Sequence, residues 1–325
     1  MKVATDLKAA VEAHIESYNF GAQEPANLYR PMEYILALKG KRIRPILTML
    51  AYQAVSGKAV EDVLNLACAV ELFHNFTLMH DDIMDRAPVR RGKPSVHIVW
   101  NEDTAILSGD ALFAFSMGLV VRDMPHLAAP LTTEFTEVAM GVCEGQMEDM
   151  DLATLQDVSI PQYIEMIRKK TAVLLGGCMS LGALAAGAER ELVKQFRAFG
   201  EQLGVGFQLQ DDLMDAFPPE GFGKQVGGDI IENKKTYLYL RALELAKPDQ
   251  KAALEDWFDN EKEHDAEEKV NAVLAIFQTI GIKEETQRLI ESYMQRAIAI
   301  GEQLSQSIAF DPLKEYLQVI AKRKL

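Results

Sequence analysis

Disulfide chemistry is the first thing this sequence leaves out. Its 325 residues hold three cysteines. Cys68, Cys143 and Cys178 are scattered, odd in number and never in a Cys-x-x-Cys pair, so neither a disulfide framework nor a zinc site is supported. They read as small buried hydrophobes in a reducing, cytoplasmic setting. A basic balance is missing too. The net charge is −14, so the chain as a whole should seek neither nucleic acid nor anionic lipid. Any anionic ligand would need local basic clusters or metal ions. The opening "MKVATDLKAAVEAHIESY" is amphipathic and lacks the apolar run of a signal peptide. One uncharged stretch, 171–188, is long enough to be weighed as a membrane span. It is mostly Gly, Ala, Ser and Thr between "RKK" and "ERE", and reads as a buried soluble helix, so no integral span is expected. Runs of alternating strand pattern are also lacking.

What is present is helical periodicity. Apolar residues recur at i, i+3, i+4 and i+7 through "EDVLNLACAVELFHNFTLMHDDIMD", "ERELVKQFRAFGEQLGVGFQLQDDLMD" and "IKEETQRLIESYMQRAIAIGEQLSQ". "PQYIEMIRKKTAVLLGG" opens with Pro161 near a helix start. Breaks rich in Pro or Gly fall at 20–31, 87–95, 124–130, 217–229 and 246–250. None is long enough for a flexible linker. With 48% hydrophobic residues, the chain reads as one all-α bundle over 1–325.

Two segments stand out, "LMHDDIMDRAPVRRGK" (78–93) and "LQDDLMDAFPPEGFGK" (209–224). In a helix, i and i+4 share a face. Asp81 therefore points with Asp85, and Asp211 with Asp215, while Asp82 and Asp212 lie to one side. Like charges at this spacing destabilise a helix. Pro88 and Pro218 place both sets at helix C-termini, where the macrodipole is already negative. A locally unfavourable placement, made twice, points to function. All-oxygen donors suit a hard cation such as Mg²⁺, which takes one or two carboxylates plus water and substrate phosphates. The plain alternative is a pair of solvated acidic helix ends.

Basic residues cluster as well, in "LKGKRIRP", "VRRGK", "RKKT", "GFGK" and "ENKKT". Any one is a common solvated surface. Together with the two Asp sets they suit phosphate, Arg by bidentate forks and Lys as point charges. Two diphosphates are implied, one bridged by metal and one held by cations.

In these motifs and their order the sequence resembles the trans-isoprenyl diphosphate synthases, the polyprenyl synthetase family. The resemblance runs from about Leu28 to Lys235. It is carried by Gly40-Lys41-Arg42-x-Arg44-Pro45, Glu71-Leu72-x-His74, the first Asp motif with Arg90-Arg91-Gly92, and Lys170-Thr171. Phe207-Gln208-x-x-Asp211-Asp212-x-x-Asp215, Gly223-Lys224 and Lys234 complete it. The resemblance implies an all-α isoprenoid synthase fold with a deep central cavity, usually a homodimer. It implies an Mg²⁺-dependent prenyltransferase that joins isopentenyl diphosphate head-to-tail to an allylic diphosphate. Asp81, Asp85 and Asp211 then resemble ligands of three Mg²⁺ ions, supported by Asp82, Asp212 and Asp215. Arg90, Lys170, Lys224 and Lys234 resemble allylic diphosphate contacts, and Lys41, Arg44, His74 and Arg91 the isopentenyl diphosphate site. Thr171 and Gln208, with Lys170, take the catalytic places near the reacting carbons. The two Asp sets read as jaws of one metal-filled clamp. Lys39 departs from the family's usual Gly and is expected to face solvent.

Product length follows from the helix leading to Asp81. Phe76 lies five residues earlier, roughly 7.5 Å along the axis, and Thr77 beside it is small. By resemblance this pair implies a C20 product, with C15 as the alternative. Three rival readings fit the motifs less well. A phosphohydrolase using His74, His80 and Asp81 would leave five aspartates without a job. A terpene cyclase usually carries a different second metal motif. A regulatory subunit of a heteromeric synthase usually loses one Asp motif, and both are intact.

Overall fold

The computed structural model describes residues 2–38, 40–219, 226–259, 261–306 and 308–321. Lys39, Lys224 and the basic C-terminal tail lie outside the described residues. The chain divides into two compact units.

The first unit comprises residues 1–136, 177–196 and 304–319. It opens with α1 (Lys2–Ser17), α2 (Ala26–Ala37), α3 (Ile43–Ser56) and α4 (Leu64–Met84). A single turn, α5 (Val96–Val99), leads into α6 (Glu102–Val120). Helix α7 (Ala128–Thr154) starts here and runs into the second unit. The second unit carries α8 (Ile160–Ile167) and a π-turn (Arg168–Ala172). Helices α9 (Val173–Ala185) and α10 (Arg190–Ala216) each belong partly to both units. Then come α11 (Gly228–Ile231), α12 (Tyr237–Leu245), α13 (Pro248–Trp257), α14 (Ala266–Ile280) and α15 (Ile282–Leu304). Helix α16 (Asp311–Ala321) closes the described chain.

The expected all-α architecture is the one found, and the long periodic segments became α4, α10 and α15. Helix α9 is apolar all round and enclosed, as a helix with no polar face must be. Length and composition would instead let α6 cross a membrane. In the second unit, Leu209 and Leu213 of α10 pack in one core with Tyr163 and Met166 of α8 and Phe277 of α14.

Three local expectations are corrected. Helix α2 begins at Ala26, inside the expected break, and carries Pro31 buried in its second turn, at the loss of one intrahelical bond. The break at 87–95 holds a two-stranded hairpin, Val89–Arg90 against Lys93–Pro94. Strands of two residues are too short to leave an alternating pattern. Cys68 and Cys178 are buried, but Cys143 is exposed. It lies on the outward side of α7 near exposed Met140 and Met147, three residues after one and four before the other.

Candidate functional site

The first Asp set closes α4. Asp81 and Asp82 stand in its last turn and Asp85 is its C-cap. Arg86 takes a left-handed φ of 50°, and the Ala87 N–H returns to the Asp82 carbonyl at 2.9 Å. That is a Schellman-type close. The hairpin then folds back over the helix end. Its turn residues Arg91 and Gly92 both have positive φ, 53° and 76°, as a tight two-residue hairpin demands. The fold-back lays Arg90 on Asp82, Nε to Oδ1 at 2.9 Å, with Nη2 on the same oxygen. Asp82 is buried and its Oδ2 has no hydrogen-bond partner. Asp81 is half-buried and Asp85 exposed. Arg90, expected on the allylic diphosphate, is here engaged by Asp82.

Behind this helix end is a corner of positive charge. Arg44 Nη1 donates to His74 Nε2 at 3.1 Å. Burial, then Arg44 and Arg91, push the His74 pKa well below its ordinary value, so His74 is a neutral acceptor. Arg91 Nη1 donates to the Leu38 carbonyl at 3.3 Å. Gly40 leaves room for that guanidinium: a Cβ would stand 2.8 Å from Arg91 Nη1 and push the side chain aside. Arg42, with a left-handed φ of 49°, turns inward. It bonds Glu71 Oε1 at 2.6 Å and the Leu36 carbonyl at 2.5 Å. Glu71 is a buried counter-charge, held in turn by Asn75. Lys41 is exposed beside it. Lys41, Arg44, His74 and Arg91 thus sit on one scaffold of α3, α4 and the hairpin, pinned by Arg42.

Phe76 is half-buried in the same unit, stacked on Phe113 of α6. Thr77 spends its hydroxyl on the His74 carbonyl at 2.8 Å.

The second Asp set closes α10. Asp211 is exposed, Asp212 buried and Asp215 half-buried. Both Asp215 oxygens accept backbone N–H groups, from Gly228 at 3.2 Å and Asp229 at 3.0 Å. Asp215 therefore fixes the chain's return after α10. Asp212 accepts from Tyr163 Oη and from Gln208 Nε2 at 3.0 Å. Burial pushes its carboxyl up to about 7, against the lowering effect of the Tyr163 bond. Burial pushes Asp229 up to about 6, with Lys234 pulling the other way.

A cavity of about 130 Å³ opens beside this carboxylate, lined by Asp149, Tyr163, Lys170, Thr171, Gln208, Asp212 and Lys234 among others. Thr171 Oγ1 donates to Gln208 Oε1 at 3.0 Å. Gln208 in turn donates to Asp212, so the relay has a fixed polarity. Lys170 belongs to the π-turn, a distortion common at functional sites. Its ammonium is held by Asp149 at 2.5 Å. Lys234 is held by Glu232 at 2.9 Å and Asp229 at 3.4 Å. Five residues expected from the sequence thus line one cavity. Lys224 lies outside the described residues. Asp149, Tyr163 and Asp229 were missed. The acid-rich "MEDMD" and the helical spacing of "PQYIEMI" were the available signals.

Carboxylate oxygens alone make a hard-cation donor set. The unpartnered Asp82 Oδ2, next to half-buried Asp81 and exposed Asp85, fits that requirement. Among the described residues no three potential ligands converge on one point, so a cation here would complete its shell with water and phosphate oxygens.

Known proteins resemble this chain over most of its length. The polyprenyl synthetase family profile matches residues 25–277. A geranylgeranyl diphosphate synthase of Methanosarcina mazei is 42% identical over 223 residues, covering 68% of each chain. A short chain isoprenyl diphosphate synthase of Methanothermobacter thermautotrophicus is 33% identical over 303 residues, 92% of this chain and 91% of that one. A crystal structure of a geranylgeranyl pyrophosphate synthase superposes with a TM-score of 0.90 at 42% identity, covering 97% of this chain and 96% of that one.

Proposed function

Because this chain belongs to the polyprenyl synthetase family, we propose that it adds isopentenyl diphosphate head-to-tail to an allylic diphosphate and releases the C20 product, geranylgeranyl diphosphate. The chain is a prenyltransferase. The observation that carries the reading is the cavity where Lys170, Thr171, Gln208 and Asp212 meet beside Lys234.

The chemistry needs a diphosphate to leave and a carbocation to survive. Lys170 and Lys234 are the cations that exchange their carboxylate partners for the allylic diphosphate, joined by Arg90 and Lys224. Fixed positive charge aimed at the leaving group lowers the barrier because no reorganisation is needed at that moment. Asp81, Asp85 and Asp211 are the proposed ligands of Mg²⁺, three ions with substrate bound, backed by Asp82, Asp212 and Asp215. When bound, the metal neutralises charge that builds on the leaving diphosphate. Thr171 commits its proton to Gln208, which leaves the hydroxyl lone pairs to stabilise a cationic carbon. Lys41, Arg44, Arg91 and neutral His74 hold isopentenyl diphosphate, whose double bond forms the new C–C bond. The proton it then sheds goes to the released diphosphate. Apolar walls exclude water from the cation.

Phe76 stops growth at C20. The exposed apolar residues of α5 and α6 serve a homodimer. Three free cysteines suit a cytoplasmic protein. The test is incubation with isopentenyl diphosphate, Mg²⁺ and each of dimethylallyl, geranyl and farnesyl diphosphate, followed by chain-length analysis. Condensation ending mainly at C20 supports the reading. No condensation with any partner would overturn it, and a C15 end point would reassign the product.

A further inference from the structure

Phe76 does not hold its position alone. Within the first unit its ring lies parallel to that of Phe113 on α6, centroids 5.2 Å apart and planes 21° apart. His80, one turn further along α4, meets Phe76 edge-on at 4.7 Å. Phe73 touches both rings, 5.5 Å from Phe76 and 5.7 Å from Phe113. Phe73 has nowhere to go, being 1% exposed and packed edge-on against Phe135 at 5.4 Å. Gly109, one turn before Phe113, makes room for the cluster. A Cβ there would run into the His80 ring and stand 3.5 Å from Phe76 Cδ2. His80 is tied down as well, by the Ile106 carbonyl at 3.2 Å.

A single phenylalanine on a helix is a weak stop for a growing alkyl chain. Its χ1 has more than one staggered well, and a half-buried ring that can swing aside blocks nothing. What keeps the ring in one well is packing on its faces and edges. Each aromatic pair adds about 0.5–1.5 kcal/mol beyond the area it buries. Phe113 covers one face of Phe76, His80 meets the ring edge-on, and Phe73 closes the side away from solvent. Of these, Phe113 alone comes from another helix, and it lies nearly parallel to the ring it covers.

We infer that Phe113 is a positioning residue for product length: from α6 it holds the Phe76 ring across the path of the growing prenyl chain. This rests on the reading of Phe76 given above and extends it to a second helix. Chain length is then set by the α4–α6 pair, not by one side chain near the first Asp motif.

The test compares Phe76→Ala, Phe113→Ala, their double variant and Phe113→Tyr, with isopentenyl and farnesyl diphosphates and Mg²⁺. Phe113→Ala should shift the main product upward by at least one five-carbon unit, with kcat and KM of the first condensation unchanged. Phe113→Tyr keeps the ring and should keep the parent product. The double variant should match Phe76→Ala, because Phe113 acts through Phe76. If Phe76→Ala lengthens the product and Phe113→Ala does not, the inference falls and the Phe76 reading stands. If Phe76→Ala changes nothing, that reading falls first. A double variant longer than Phe76→Ala would make Phe113 an independent wall and overturn the positioning role. Should Phe113→Ala not fold, Phe113→Leu removes the ring while keeping most of the volume, and the same outcomes apply.

Discussion

His74 is a histidine whose neighbours deny it a proton. Burial comes first, then the guanidinium groups of Arg44 and Arg91, and all lower its pKa below the ordinary 6.5. The unfolded chain has no such constraint and takes up the proton near its ordinary value. Between the folded and unfolded pKa values the unfolded state therefore binds more protons, so stability rises with pH in that window. The cost is absent above about 6.5 and grows on acidification, by at most about 1.4 kcal/mol per pH unit. Urea midpoints at about pH 7.5 and about pH 5.5 should fall less for His74→Asn than for the parent. Equal losses would show that His74 can be protonated in place. At the opposite extreme is Asp211, exposed at the end of α10. Replacing it should leave folding within about 0.5 kcal/mol. If Asp211 holds metal against the leaving group, Asp211→Asn should lower kcat by roughly 10²–10³-fold, the range typical of one lost electrostatic contact. Steady-state kinetics beside a thermal melt checks both halves. Near-normal kcat would remove Asp211 from the metal site.

Elements bring these residues to bear, and the hairpin after α4 does so most economically. Four strand residues and a turn lay Arg90 on Asp82 and send Arg91 to Leu38. The turn depends on Gly92, whose φ is 76° and around whose Cβ position there is open space. Gly92→Ala would therefore meet nothing at its Cβ and pay only in backbone strain, roughly 1–2 kcal/mol. With the turn strained, Arg91 loses its aim. The KM for isopentenyl diphosphate should rise while kcat holds, and the melting temperature should drop modestly. A fall in kcat alone would place the hairpin's role elsewhere. This hairpin was not legible in the sequence, since two-residue strands leave no period to read. The ends of α4 and α10 were legible because three carboxylates before a proline conflict with the helix dipole, and that conflict is local. Asp149 and Tyr163 were not. One lies in an acidic stretch that reads as solvated surface, and the other at a spacing that reads as core. Their meaning comes from contacts 21 and 49 residues away, with Lys170 and Asp212. The Gly109–His80 contact is hidden for the same reason.

For the whole molecule, charge and apolar surface pull in opposite directions. A net charge of −14 keeps copies of this chain apart, most strongly at low ionic strength. Yet α5 and α6 leave Ile98, Val99, Ile106 and Leu107 exposed, Leu107 at 61%. An apolar group of this kind marks a surface that is covered by something. A second copy would cover it through a two-fold contact, in which each residue acts twice. Leu107→Glu then sets two new carboxylates near the axis, on a pair of chains that already repel. The parent should run at the dimer mass by light scattering, and more firmly so as salt screens the repulsion. The variant should run at the monomer mass. Because Leu107 is mostly exposed on its own chain, the variant's melting curve should change chiefly by what dimerisation supplied, and should depend less on protein concentration. A monomeric parent, or a variant still dimeric, would detach the apolar face of α6 from self-association.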